Sequence, residues 1–262
     1  ECKKALEETE GNLEAAIKVL RERGQMKAEK RADRDASEGL ISSAISDDKK
    51  KAVLAQISCE TDFVSRNDEF IKLSQEIADA GLSKEVKTLE EIKTVELSSG
   101  KTVADSVEDI RTKIGEKIEL SIYEFVEGEV VAAYVHPPGK IGVLIAAEGS
   151  AKDADAASET LRGIAMHVAA SAPRFLDSSE VDQSTLDQER DIFANQARNE
   201  GKPDNIIEKI VDGKIKSFYK DNCLVDQPFV QDPKKSVSQV VGEIDGDLKL
   251  SGFSRVNIGS AG

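Results

Sequence analysis

Tryptophan is absent from this chain of 262 residues, and it holds only two histidines, two methionines, three cysteines and three tyrosines. With eight Phe as the remaining aromatics, the core has to be built from Ala, Val, Ile and Leu, as in small α/β or α+β modules. Cys2, Cys59 and Cys223 are odd in number, far apart and without CxxC spacing. They fit thiols in a reducing compartment better than a disulfide framework or a zinc site. His167 lies in an apolar helical run and His136 on a turn, and neither has the two further ligands a metal would need. Nucleophile elbow, Cys/His catalytic signature, Walker loop and dinucleotide glycine loop are all missing. No apolar run reaches the roughly 18 residues of a membrane-spanning helix, and the first residues lack a signal-peptide pattern, so no membrane passage is expected. Basic charge is also short. Fifty acidic against 36 basic residues give a net charge of −14, which repels phosphate backbones and anionic lipid. The basic run at 27–34 is interleaved with Glu29 and Asp33 and reads as a solvated helix or linker. No cofactor, metal, covalent chemistry or direct nucleic-acid partner is therefore expected.

What is present is organised surface. Residues 1–24 read as an incomplete helical module of two short helices: Ala5 and Leu6 mark the first, and Leu13, Ala16, Ile17 and Leu20 recur at helical spacing in the second. Asn12 is placed to cap the second helix and Gly24 to end it. Two such helices bury too little to fold alone, so a missing first helix is expected. Residues 25–37 read as a linker. Strands at 38–45 and 52–57 form a hairpin, and the same grammar returns at 127–135 and 141–147. Each hairpin precedes an amphipathic helix, carried by Phe70, Leu73, Ile77 and Ala80 in one case and by Leu161, Ile164, Ala165, Val168 and Ala169 in the other. The expected fold is α+β, with two duplicated hairpin-plus-helix core subdomains at 38–126 and at 127–176 with 223–258. Between the parts of the second, residues 177–222 read as an inserted antiparallel helical hairpin. There Leu186, Phe193 and Ala197 face Ile207, Ile210, Val211, Ile215 and Phe218, and Pro203 suits a first helical turn. Short strands and a helix near 236–241 follow, and the tail at 259–262 reads as loose.

The most informative segment is Glu60-Thr61-Asp62-Phe63-Val64, directly after the second strand. Thr61 and Asp62 can both cap a new helix. Phe63 is harder to account for, because Glu60, Asp62, Ser65, Arg66, Asn67 and Asp68 surround it with groups that prefer water. It either tucks into its own core, as composition favours, or projects towards a partner.

Several motifs together resemble elongation factor Ts. Cys2-Lys3-Lys4-Ala5-Leu6 with Gly11 and Ala16-Ile17 is similar to that family's N-terminal three-helix module, related to ubiquitin-associated domains. Cys59-Glu60-Thr61-Asp62-Phe63-Val64, Ile114-Gly115-Glu116, Gly142-Val143-Leu144, the run at 164–170, Gly201-Lys202-Pro203 and Gln227-Pro228-Phe229-Val230 also match, in order along nearly the whole chain. The resemblance departs at the ends, where a first helix and a final helical segment are absent. It implies guanine-nucleotide exchange on the GTPase elongation factor Tu, in a bacterial cytoplasm or in an organelle. It further implies partner-binding roles for Thr61, Asp62, Phe63 and Val64, with Phe63 as a wedge beside the magnesium site. Lys3, Ile114, Gly115, His136 and Val230 are implied as further contacts. A helical adaptor without exchange activity is the rival reading. A homodimer through the helical hairpin is also open, although the exposed face of that hairpin is only weakly apolar.

Overall fold

The computed structural model describes residues 2–16, 18–19, 34–244 and 247–259. Ile17, Leu20, Gly24, most of the 25–37 linker and the last three residues lie outside the described residues. The chain divides into two compact units, one of Glu1–Ser42, Ala55–Glu124 and Ile258–Gly262, the other of Ser43–Leu54 and Phe125–Asn257.

α1, which belongs to the first unit, spans Cys2–Glu8, and the amide of Gly11, at φ +84°, returns to the Leu6 carbonyl at 2.8 Å. Asn12 then caps the next helical stretch, its Oδ1 accepting from the Ala15 amide at 3.0 Å. Strands β1 (Glu38–Ile45), β2 (Lys51–Cys59) and β3 (Ile118–Glu127) form a sheet in that order. The central strand β2 is buried along nearly its whole length, which its apolar run of Ala, Val, Leu and Ile allows. Between β2 and β3 lie α2 (Asp62–Ser65), α3 (Asp68–Ser83), α4 (Leu89–Lys93) and α5 (Val103–Ile114). α3 turns Phe70, Leu73, Ile77, Ala78 and Gly81 inward, whereas Ala80, expected on that face, is only half-buried. Its Ser74 hydroxyl meets that of Ser42 at 2.7 Å in the buried interior, so each of the two hydroxyls has a partner.

In the second unit β4 (Val130–His136), β5 (Ile141–Glu148) and β8 (Lys249–Asn257) form an antiparallel sheet with β5 in the centre. β4 begins later than expected. Glu127 ends β3 instead, and Gly128 passes so close to the Ala147 backbone that a Cβ there would stand 2.9 Å from its carbonyl oxygen. α6 (Ala154–Ser171) lays Leu161, Ile164, Ala165 and Val168 into a core shared with Val143, Ile145, Leu224, Phe229 and Val237. α7 (Gln183–Asn199) and α8 (Asp204–Asn222) form the expected helical hairpin, closed on Ala197, Ile207, Val211 and Ile215. Pro203 stands one residue before α8, at its N-cap, rather than within its first turn. β6 (Pro228–Phe229), β7 (Asp232–Ser236) and α9 (Val237–Ile244) lead back to β8. The two large sheets share one connection pattern. A hairpin is followed by helices, and a third strand then pairs with the second strand of the hairpin.

Candidate functional site

The Glu60–Val64 segment leaves the buried strand β2 and meets, 55 residues on in the chain, the turn after α5. α5 stops at Ile114 because Gly115 adopts φ +87°, a left-handed conformation that side chains with a Cβ disfavour, and its amide returns to the Arg111 carbonyl at 2.9 Å. That reversal brings Glu116 alongside Thr61. The Thr61 amide donates to Glu116 Oε2 at 3.0 Å, and the Thr61 hydroxyl donates to Oε1 at 2.7 Å. The neighbouring pair is joined in the opposite sense, the Lys117 amide donating to Glu60 Oε1 at 2.6 Å. Arg34 Nη1 lies 3.2 Å from the other Glu60 oxygen. Each segment thus lends a carboxylate to the other's backbone, and hydrogen bonds to ionised acceptors are the stronger kind.

This clasp corrects one expectation. Thr61 does occupy the N-cap position of α2, with extended φ −128° and ψ 153°, but its side chain makes no capping bond, because the hydroxyl is committed to Glu116. The thiol of Cys59 adds a further tie, donating to the Thr61 carbonyl at 3.2 Å. Asn67 caps α3 as its side chain permits, accepting from the Glu69 and Phe70 amides.

Phe63 is 82% exposed, and adjacent Val64 is 5% exposed. The tucked alternative for the aromatic is therefore not adopted. Successive residues of a helical turn point about 100° apart, so seating Val64 inward turns Phe63 outward. Asp62 pairs with Arg66 at 2.9 Å, and Ile114 and Gly115 are half-buried beside the clasp. The structure brings Thr61–Val64 together with the 114–117 turn. Lys3 stands on α1, largely exposed, with its ammonium 3.9 Å from Glu7.

His136 and Val230 belong to the second unit. His136 is exposed at the end of β4, before the cis Pro137–Pro138 bond, and its Nδ1 lies 2.8 Å from the Tyr134 hydroxyl. The Arg162 guanidinium of α6 sits over that tyrosine ring at 5.8 Å. Val230 is half-exposed, and its amide donates to Nδ1 of the buried His167 at 3.1 Å. Since Nδ1 accepts, Nε2 carries the proton and donates to Gln227 Oε1 at 2.8 Å. Burial lowers the His167 pKa below the usual histidine value, with the Gln227 bond acting in the opposite sense. His167 is thus a hydrogen-bonded structural histidine, as its apolar surroundings suggest.

Cys59 and Cys223 are buried thiols, and burial, with Asp226 nearby, pushes the Cys223 pKa up to about 11. Among the described residues no three of His, Cys, Asp and Glu converge as a metal-holding group, and no helix is long and apolar enough to cross a membrane. An open cavity of about 600 Å³ lies against the helical hairpin, lined by Arg190, Ala194, Arg198, Ile207 and Val211 among others. Arg190 there pairs with Asp212 at 3.1 Å. Glu60, Glu116 and Lys117 are absent from the site residues chosen by sequence reasoning. Glu60 and Glu116 do lie within the motifs singled out, but a lone acid among fifty carries no signal of its own role.

Fold and site define an α+β protein in which Lys3, Phe63, His136 and Val230 are exposed and Val64 is buried. The family model described as Elongation factor TS matches residues 60–260. Elongation factor Ts of Christiangramia forsetii is 41% identical over 259 residues, covering 99% of this chain and 92% of that protein. The protein of that name from Cytophaga hutchinsonii is 40% identical over 259 residues, covering 98% and 92%. That of Clostridium perfringens is 40% identical over 247 residues, covering 93% and 80%. The chain belongs to the elongation factor Ts family.

Proposed function

We propose that this chain promotes exchange of guanine nucleotide on the GTPase elongation factor Tu without covalent chemistry, and that Phe63 is the wedge through which it does so. The observation that carries the reading is the 82% exposure of a large aromatic on a clasped turn, in a chain of this family. Asp62 enters beside the partner's magnesium site, with Phe63 in an apolar pocket next to it. Magnesium requires near-ideal octahedral geometry at short distances, so a small displacement of its ligands is costly. A protein that prefers the displaced arrangement weakens nucleotide binding by its differential affinity, and nucleotide weakens its binding equally.

The magnitudes argue for several contacts. A thousandfold loosening of nucleotide corresponds to about 4 kcal/mol. Burying one phenylalanine supplies about 1.5–3 kcal/mol. Lys3, Ile114, Gly115, His136 and Val230 are the further contacts of this reading, with the N-terminal helices and both hairpin-plus-helix subdomains contributing. Stopped-flow release of fluorescent GDP from elongation factor Tu, with and without this chain, is the test. Release should accelerate with the unsubstituted chain and much less with Phe63→Ala. Equal rates for the two proteins would remove the wedge, and no acceleration by either would remove the exchange function.

A further inference from the structure

Phe63 extends into solvent, so packing of its own ring does not hold it in place. Its direction is set by the backbone of α2, and α2 is a single turn of four residues. One turn fixes several dihedral angles for very few internal hydrogen bonds and has no stability in isolation. The ordinary remedy, a side-chain cap at the N-terminus, is missing, because the Thr61 hydroxyl is turned away towards Glu116. The turn is instead held from outside. Glu116 takes both the amide and the hydroxyl of Thr61, at 3.0 and 2.7 Å. The Ser65 hydroxyl closes on the Asp62 carbonyl at 3.0 Å, and buried Val64 anchors the base.

We infer that Glu116 is a positioning residue for Phe63, its two-point hold on Thr61 fixing the start of α2 so that the aromatic is presented already aimed. The inference rests on the exchange reading above and names how this chain prepares its wedge before a partner arrives. Pre-ordering matters because a side chain that must be ordered on binding loses part of the interaction free energy to conformational entropy. Glu60 plays the matching part on the opposite side, holding the Lys117 amide and so fixing the turn, just before β3, from which Glu116 projects. Glu116 acts through Thr61 and Phe63 and need not touch the partner.

The test is a double-substitution cycle read by GDP release from elongation factor Tu. Glu116→Ala should slow stimulated release about tenfold, corresponding to part of the worth of the two charge-assisted hydrogen bonds it removes. Glu116→Gln should restore most of it, since the amide oxygen accepts from the Thr61 amide while its NH₂ donates to the hydroxyl oxygen. In a Phe63→Ala background, Glu116→Ala should cause no further loss. Independent, multiplying effects would overturn the inference, and so would an unchanged rate for Glu116→Ala. Hydrogen exchange supplies a readout without the partner. The Thr61 amide should be protected in the parent and in Glu116→Gln and should exchange faster in Glu116→Ala, whereas equal protection in all three overturns the clasp. Where Glu116→Ala fails to fold, Thr61→Val, which deletes the hydroxyl bond alone, takes its place in the cycle. If the unsubstituted chain accelerates release and Phe63→Ala does not, while Glu116 proves irrelevant, this inference alone falls. If the unsubstituted chain does nothing, the exchange reading falls with it.

Discussion

The amide of Val230 is held by the ring of His167, 63 residues earlier in the chain, at 3.1 Å. One imidazole thereby joins the half-exposed Val230 to the buried Gln227 through its two nitrogens. The arrangement requires neutral histidine, since a proton on Nδ1 would remove the acceptor that Val230 uses.

A pH dependence follows from that geometry. The folded-state pKa of His167 lies below the ordinary histidine value of about 6.5 because burial penalises the charged ring. Above that value the group is neutral in both folded and unfolded chains and stability is complete. As pH falls through about 6.5 the unfolded chain takes up the proton first, so stability declines until the lower folded pKa is reached. Urea denaturation followed between pH 7.5 and pH 5 should show this loss, and it should vanish in His167→Gln. That variant should also be weaker at neutral pH by about 1–3 kcal/mol, because a buried polar partner is left unpaired or poorly paired.

Gly81 should behave against the usual rule for helix glycines. Replacing an interior helix glycine by alanine ordinarily stabilises by about 0.5–1 kcal/mol. Here the added Cβ would lie 2.3 Å from the Tyr123 hydroxyl, which itself donates to the Val86 carbonyl at 2.9 Å. Gly81→Ala should therefore cost about 1–3 kcal/mol as the ring is forced aside. Thermal unfolding checks the sign. A stabilised variant would mean that Tyr123 moves freely, contrary to its buried bond.

Much of this architecture is legible in the amino-acid order, and the gaps have physical causes. The two hairpins announce themselves by apolar strands separated by short polar turns. α3, α6 and the helical hairpin do so by apolar residues at helical spacing. α5 is hard to see because it buries only Val103 and Val107, which is too narrow a stripe to register. β3 hides because Glu119 and Ser121 interrupt the apolar residues Ile118, Leu120 and Tyr123, and its burial does not alternate cleanly. In the candidate site, the capping potential of Thr61 was readable but its true partner was not. Glu116 is 55 residues away, and only the fold decides which carboxylate a threonine meets.

Gly115 tests the backbone beneath the clasp. Its φ of +87° lies where a Cβ is disfavoured. Gly115→Ala should therefore cost about 1 kcal/mol, and Gly115→Asn less, since asparagine tolerates the left-handed region. Chemical denaturation of the two variants checks the order. If alanine is the milder change, strain at this residue does not govern the turn that presents Glu116.

Phe63 and Val64 should part company when stability and exchange are measured on the same proteins. Phe63→Ala removes a ring that is 82% exposed, so unfolding should shift by no more than about 0.5 kcal/mol. Val64→Ala hollows a site that is 5% exposed and should cost about 1–3 kcal/mol from lost burial and the space left behind. In GDP release from elongation factor Tu both should slow exchange, the first by removing the wedge and the second by loosening its base. Only the second defect should then shrink when α2 is steadied by other means, such as lower temperature. A Phe63→Ala protein as unstable as Val64→Ala would show that the ring packs into its own unit in solution, and the aromatic would lose its claim to meet a partner.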